Sequence, residues 1–189
     1  MRKPLRVLIV EDSKADAELL LIELEKSGYD PTSERVDTAA GMSEALDRHN
    51  WDVILADYVM PRFSGLAALE LLQARGIDLP FIVLSGQIGE EIAVATMKAG
   101  ASDYILKGHC ARLIPAIERE LREAEVRRQR RKAEEERDRL MEQLREVNQQ
   151  LVLSNLRTQD QATEMAAFIA AIEEALARYK ASGKSPALG

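Results

Sequence analysis

Cysteine is nearly missing from this chain of 189 residues: Cys110 stands alone. That excludes an internal disulfide and points to a reducing compartment, with the lone thiol inert. Aromatic residues make up only 4%, so a core has to be built from aliphatic side chains. No apolar run approaches the roughly 18 residues of a membrane span. Arg2 and Lys3 precede only a short apolar-biased stretch before Glu11 and Asp12, which is not a signal-peptide pattern. A cytoplasmic protein without a membrane partner is the expectation. His49 and His109 have no companions at metal-ligand spacing and read as surface or loop residues. Glycine is absent between 111 and 182, and Pro115 is the only proline there, early enough for a first helical turn. No helix-turn-helix, GGDEF-like, nucleotide-binding or metal motif is visible after residue 122.

Charge, by contrast, is plentiful and uneven. The formal net charge is −6, which argues against a general nucleic-acid binder. Residues 1–110 carry 11 basic and 18 acidic side chains, while 111–189 carry 15 and 14. The acidic half suits a cation site.

Apolar runs in that half are short and end in polar residues. Leu5 to Val10 reads as a strand ending in Glu11-Asp12, and Ser13 can cap a helix carrying Leu19, Leu20, Ile22 and Leu24 up to Gly28. A weaker strand covers Ser33 to Val36. Thr38 can cap a helix with Met42, Ala45 and Leu46. Val53 to Ala56 is a strand ending in Asp57, with Pro61 forcing a turn. Ser64 can cap a helix with Leu66, Leu69 and Leu72. Phe81 to Leu84 ends in Ser85, a helix with Ile92, Ala93 and Met97 runs to Gly100, and Tyr104 to Leu106 ends in Lys107. Alternating strands and helices imply an α/β fold with a five-stranded parallel sheet.

In a parallel sheet all strand ends share one edge. Glu11, Asp12, Asp57, Ser85 and Lys107 would converge there. Asp57 alone is an ordinary turn residue, but five such residues at five strand ends are another matter. Crowded carboxylates repel unless a cation offsets them, and oxygen-only donors suit Mg²⁺. A carboxylate nucleophile, a divalent metal, a lysine and a hydroxyl are a minimum apparatus for accepting a phosphoryl group.

Residues 1–122 resemble the receiver domain of two-component response regulators. The likeness rests on Glu11-Asp12, on Asp57 in Ala-Asp-Tyr-Val-Met-Pro, on Ser85 after Ile-Val-Leu, and on Tyr104-Ile-Leu-Lys107. It implies a flavodoxin-like (βα)5 fold with strand order 2-1-3-4-5. It also implies Asp57 as phosphoacceptor and Mg²⁺ held by Asp12, Asp57 and the Val59 backbone carbonyl, with Glu11 acting through water. Lys107 would pair with the phosphoryl group, Ser85 would move to bond it, and Tyr104 would rotate inward. A histidine kinase or phosphotransfer protein would be the partner, and the chain would not turn over an external substrate. Two positions depart from the family pattern. Gly108 stands where proline is usual, and Val59 is apolar where a polar residue often positions hydrolytic water, so slow autodephosphorylation is expected. A dehalogenase-like phosphatase would need a second Asp two residues after the first, where Val59 stands.

Residues 123–181 read as a long helical coiled-coil extension and 182–189 as a frayed tail. A heptad seam runs through Leu140, Val147, Ser154, Gln161, Phe168 and Ala175, and through Leu144, Leu151, Thr158, Met165, Ile172 and Tyr179. A lone helix would leave this seam wet, so a homodimer is expected, against a helix folded back as a hairpin around Asn155 to Gln161. The basic run Arg127 to Lys132 precedes the seam as in a basic zipper, but Glu134, Glu135 and Glu136 can pair with it, which favours a solvated helix over DNA binding. The extension thus points to a signalling dimer. A phosphorelay shuttle and a receiver fragment of a hybrid sensor kinase are the alternatives.

Overall fold

Two apolar runs, β3 (Val53–Asp57) and β4 (Phe81–Ser85), are buried at every residue and form the middle of a sheet. The computed structural model describes residues 2–86, 89–108 and 110–181. Around the middle pair lie β1 (Lys3–Val10), β2 (Tyr29–Val36) and β5 (Asp103–Leu106), all parallel, in the order β2-β1-β3-β4-β5. Between them run α1 (Lys14–Lys26), α2 (Ala39–Arg48), α3 (Gly65–Ala74) and α4 (Glu90–Lys98), and α5 (Cys110–Ala181) follows. This is the flavodoxin-like arrangement.

The strand alternation sorts the core into two layers. Val7, Ile9, Val53, Leu55, Ile82, Leu84 and Ile105 pack with Ala17 and Leu24 of α1 and with Leu113, Ala116 and Ile117 of α5. Leu8, Val10, Ile54, Ala56, Phe81 and Val83 pack with Met42 and Ala45 of α2 and with Ala68, Leu69 and Leu72 of α3. Leu24 is fully buried, which is worth roughly 2 kcal/mol relative to exposure.

Three helix starts follow their capping residues. Ser13 Oγ accepts from the Asp16 amide, Thr38 Oγ1 from Gly41 and Ser64 Oγ from Ala67, each at 3.2 Å. Each bond satisfies a donor that has no partner inside the helix.

Several sequence expectations need correction. β2 begins at Tyr29, four residues before the expected Ser33, and includes Pro31. Among the described residues its only strand partner is β1, so β2 is an edge strand, where a missing amide is tolerated. On α1 the inward stripe is Ala17, Leu20, Leu21 and Leu24, whereas Leu19 and Ile22 are exposed. The spacing 17, 20, 21, 24 is the true helical face. On α4 the buried residue is Thr96, and Met97 is exposed. Pro115 lies inside α5 rather than in its first turn. The lack of an amide there removes one backbone bond, to the Ala111 carbonyl.

The chain divides into two units, Met1–Arg130 and Arg131–Gly189. In the first, α5 carries Arg127, whose guanidinium donates to Asp78 at 3.0 and 3.1 Å. In the second, residues 131–181 are helical throughout. Asn155 to Gln161 is therefore not a hinge and the hairpin alternative is not formed. Thr158 Oγ1 instead donates back to the Ser154 carbonyl at 3.0 Å. The seam residues Leu140, Leu144, Val147, Leu151, Met165, Phe168, Ile172 and Tyr179 are all exposed. No described helix is long and apolar enough to cross a membrane. His109, the Cys110 side chain and the 182–189 tail lie outside the described residues.

Candidate functional site

Strand phase decides which side chains meet. Glu11 continues the row Val7, Ile9; Asp57 continues Val53, Leu55; Lys107 follows Ile105. All three rows belong to the layer under α1 and α5. Glu11 is held in strand-like register by its amide, which donates to the Val36 carbonyl at 2.9 Å. The Lys107 amide donates to the Ser85 carbonyl at 2.7 Å, extending the β4–β5 ladder to the edge.

Lys107 Nζ is the hub of the cluster. It lies 2.8 Å from Glu11 Oε2, 2.7 Å from Asp16 Oδ2 and 3.1 Å from Asp57 Oδ2. Burial alone pushes the ammonium down, but its bonds to Asp16, Glu11 and Asp57 outweigh this and hold it above the ordinary lysine range. Glu11 is 1% exposed, and burial pushes its carboxyl up despite the opposing bonds from Lys107 and the Ser13 amide. The pair is attractive, yet removing Glu11 from water outweighs the attraction on the carboxyl side.

Glu11, Asp12 and Asp57 each present a carboxylate oxygen within 4.8 Å of the others. Glu11 and Asp57 are buried and Asp12 is exposed. A compact, oxygen-only, partly open set of this kind fits a hard divalent cation that keeps waters.

The other expected residues fall as follows. Ser85 ends β4, is fully buried, and shares its strand phase with Phe81 and Val83. Tyr104 is partly buried against that same layer. By strand phase Ser85 and Tyr104 therefore belong to the α2–α3 side, while Glu11, Asp57 and Lys107 continue rows of the other layer and meet them only at the sheet edge. Val59 is exposed in the loop after β3, and its amide lies 3.4 Å from Asp57 Oδ1.

Three residues escaped the sequence reading. Asp16 lies in the first turn of α1, which Ser13 caps at the same sheet edge; its place just after the strand-end acidic pair was the available signal. Arg35 donates from β2 to the Glu11 carbonyl at 2.7 Å and approaches that of Asp12 at 3.4 Å. Nothing in the spacing marks it, because the β1–β2 pairing has to be known first. Gly65 opens α3 directly over the end of β3, where an added Cβ would sit 2.6 Å from the Asp57 carbonyl oxygen.

Residues 7–118, more than half of the chain, match the response regulator receiver domain family. The chain belongs to that family. The receiver is 36% identical over 107 residues to response regulator MprA of Mycobacterium sp. (strain KMS), a match covering 55% of this chain and 44% of that protein. It is 34% identical over 105 residues to the phosphate regulon transcriptional regulatory protein PhoB of Klebsiella pneumoniae, covering 54% and 44%. The chain thus spans less than half the length of these curated relatives. Among solved structures, the receiver domain of the Francisella response regulator 1452 superposes with a TM-score of 0.56 at 27% identity, covering 63% of this chain and 98% of that one. The FixJ-N crystal structure gives 0.55 at 33%, covering 65% and 96%. A place in two-component signalling follows from the family. In this receiver the residue after Lys107 is Gly108 with φ +94°, a backbone conformation closed to proline.

Proposed function

We propose that the chain is a phosphorylation-responsive receiver that takes a phosphoryl group from a histidine kinase or phosphotransfer protein onto Asp57. The observation that carries this reading is the approach of Lys107 Nζ to Asp57 Oδ2, 3.1 Å, beside three carboxylates within 4.8 Å of one another. Glu11, Asp12 and Asp57, with the Val59 carbonyl, would hold Mg²⁺. When bound, it offsets negative charge on the transferring oxygens.

A carboxylate oxygen of Asp57 attacks the donor phosphorus. The bond from phosphorus to the donor nitrogen breaks, and the imidazole leaves with the electron pair. Lys107 supplies fixed positive charge to the phosphoryl oxygens. The product adds up to about two negative charges and three acceptor oxygens at the sheet edge. Ser85 then bonds one of those oxygens and Tyr104 turns inward on the same side of the sheet.

The second unit supports a companion proposal. Its seam exposes apolar residues from Leu140 to Leu151 and from Met165 to Tyr179, interrupted by Ser154, Thr158 and Gln161, and two copies burying it against each other form a coiled-coil homodimer that carries the signal onward. DNA binding gains no support, since Arg127 is engaged by Asp78 and Arg128 lies 3.9 Å from Glu125. The phosphoryl step is tested by incubating the chain and Asp57→Asn with acetyl phosphate and Mg²⁺ and measuring intact mass. Parent alone should gain one phosphoryl group; equal gain by both removes the reading. The dimer is tested by sedimentation of the parent and Leu151→Glu, where a monomeric parent removes that proposal.

A further inference from the structure

We propose that Asp16 is a positioning residue of the phosphoacceptor site, anchoring the Lys107 ammonium at a point outside the cation cluster. The inference rests on the receiver reading above and concerns a residue that the reading leaves without a role.

A lysine ammonium has three donors. Here they meet three carboxylates: Asp16 at 2.7 Å, Glu11 at 2.8 Å and Asp57 at 3.1 Å. Two of those acceptors, Glu11 and Asp57, are members of the cluster that fits a divalent cation. A cation there would draw on the same two carboxylates and repel the ammonium. Asp16 is the one partner of the three that stands outside the cluster, and it makes the shortest contact. It is also placed independently of the lysine, because its amide is tied to the Ser13 cap at 3.2 Å. Its carboxylate therefore offsets the charge of Lys107 at the moment the other two acceptors are engaged elsewhere. Without it the ammonium has only the cation's own ligands to bond, so it either competes for them or leaves the site.

Three consequences share one sign. Loss of Asp16 removes a negative charge close to the cluster, turns Lys107 onto Glu11 and Asp57, and frees the lysine to swing away once the cation binds. All three weaken cation binding or slow phosphoryl uptake.

The experiment uses the full chain with Asp16→Ala, Asp16→Asn and Asp16→Glu, each alone and combined with Lys107→Gln. Two quantities are read: the Mg²⁺ dissociation constant of the unphosphorylated protein by calorimetry, and the initial rate of phosphorylation by acetyl phosphate at saturating Mg²⁺. A small phosphodonor keeps kinase docking out of the result. The alanine and asparagine variants should bind Mg²⁺ about ten-fold more weakly and accept phosphate more slowly, with glutamate restoring most of both. In the Lys107→Gln background the same substitutions should lose most of their effect on rate, which a merely structural role of Asp16 would not produce. Parent-like affinity and rate in Asp16→Asn, or an undiminished rate effect without Lys107, overturns the inference while leaving the receiver reading intact. A parent that takes no phosphate at all overturns the receiver reading, and the inference with it.

Discussion

Gly65→Ala is a one-carbon probe of how tightly the end of β3, which carries Asp57, is held. The new Cβ would lie 2.6 Å from the Asp57 carbonyl oxygen, 3.2 Å from the Tyr58 Cα and 3.3 Å from the Asp57 carbonyl carbon. All three neighbours are backbone, so no rotamer change relieves the overlap. The start of α3 and the end of β3 have to separate by about half an ångström or more to reach normal van der Waals contact. Overpacking of this kind typically costs about 1–3 kcal/mol. With a urea slope of about 1–3 kcal/mol per molar, the unfolding midpoint should fall by about 1 M. The strand end that moves carries Asp57, and a misplacement approaching an ångström can slow chemistry by about a hundred-fold. Phosphorylation by acetyl phosphate should therefore slow by at least about ten-fold. Gly76→Ala is the control: Gly76 has φ +65° but open space around its Cα. It should lose about 1 kcal/mol to backbone strain and keep the parent phosphorylation rate. Parent-like stability and rate in Gly65→Ala would refute the argument from close approach.

Other expectations follow from single features. Val59→Asn should shorten the life of the phosphorylated form in a decay time course, because a polar group two residues past Asp57 can orient water; equal or slower decay removes the idea. Gly108→Pro should lower the melting temperature by several degrees, since φ +94° is out of reach of the proline ring; an unchanged value would show that the loop re-forms at no cost. Burial pushes the Asp52 carboxyl up, but the Arg6 guanidinium and amide outweigh this and hold it below the usual range. A depressed carboxyl stabilises the fold above its unfolded pKa of about 4, and that stability is lost as pH falls through the folded value. Arg6→Ala should therefore lower the urea midpoint at pH 7 and have much less effect at pH 2, and an equal drop at both would exclude the ion pair as the cause.

The β-strands with apolar runs were legible because burial on both faces leaves an unmistakable local pattern, as in Val53–Asp57 and Phe81–Ser85. Caps were legible because Ser13, Thr38 and Ser64 act within three residues of themselves. What escaped was set by distant partners. Tyr29–Val36 is half polar and contains Pro31, and only its place at the sheet edge makes it a strand. Leu19 and Ile22 carry the right chemistry for a core but the wrong angle on α1. At the site, Glu11, Asp57 and Lys107 could be found from strand ends alone. Asp16 and Arg35 could not, since their contacts depend on which helix and which neighbouring strand pack there.

Pro31 also limits how copies of this protein can associate. An edge strand ordinarily offers a row of free amides and carbonyls on which a strand from another molecule can continue the sheet. At Pro31 that row has a gap, and the pyrrolidine ring sits where an incoming backbone would dock. Strand-by-strand growth past β2 is interrupted, a safeguard against ribbon-like aggregation that a Pro31→Val exchange would remove.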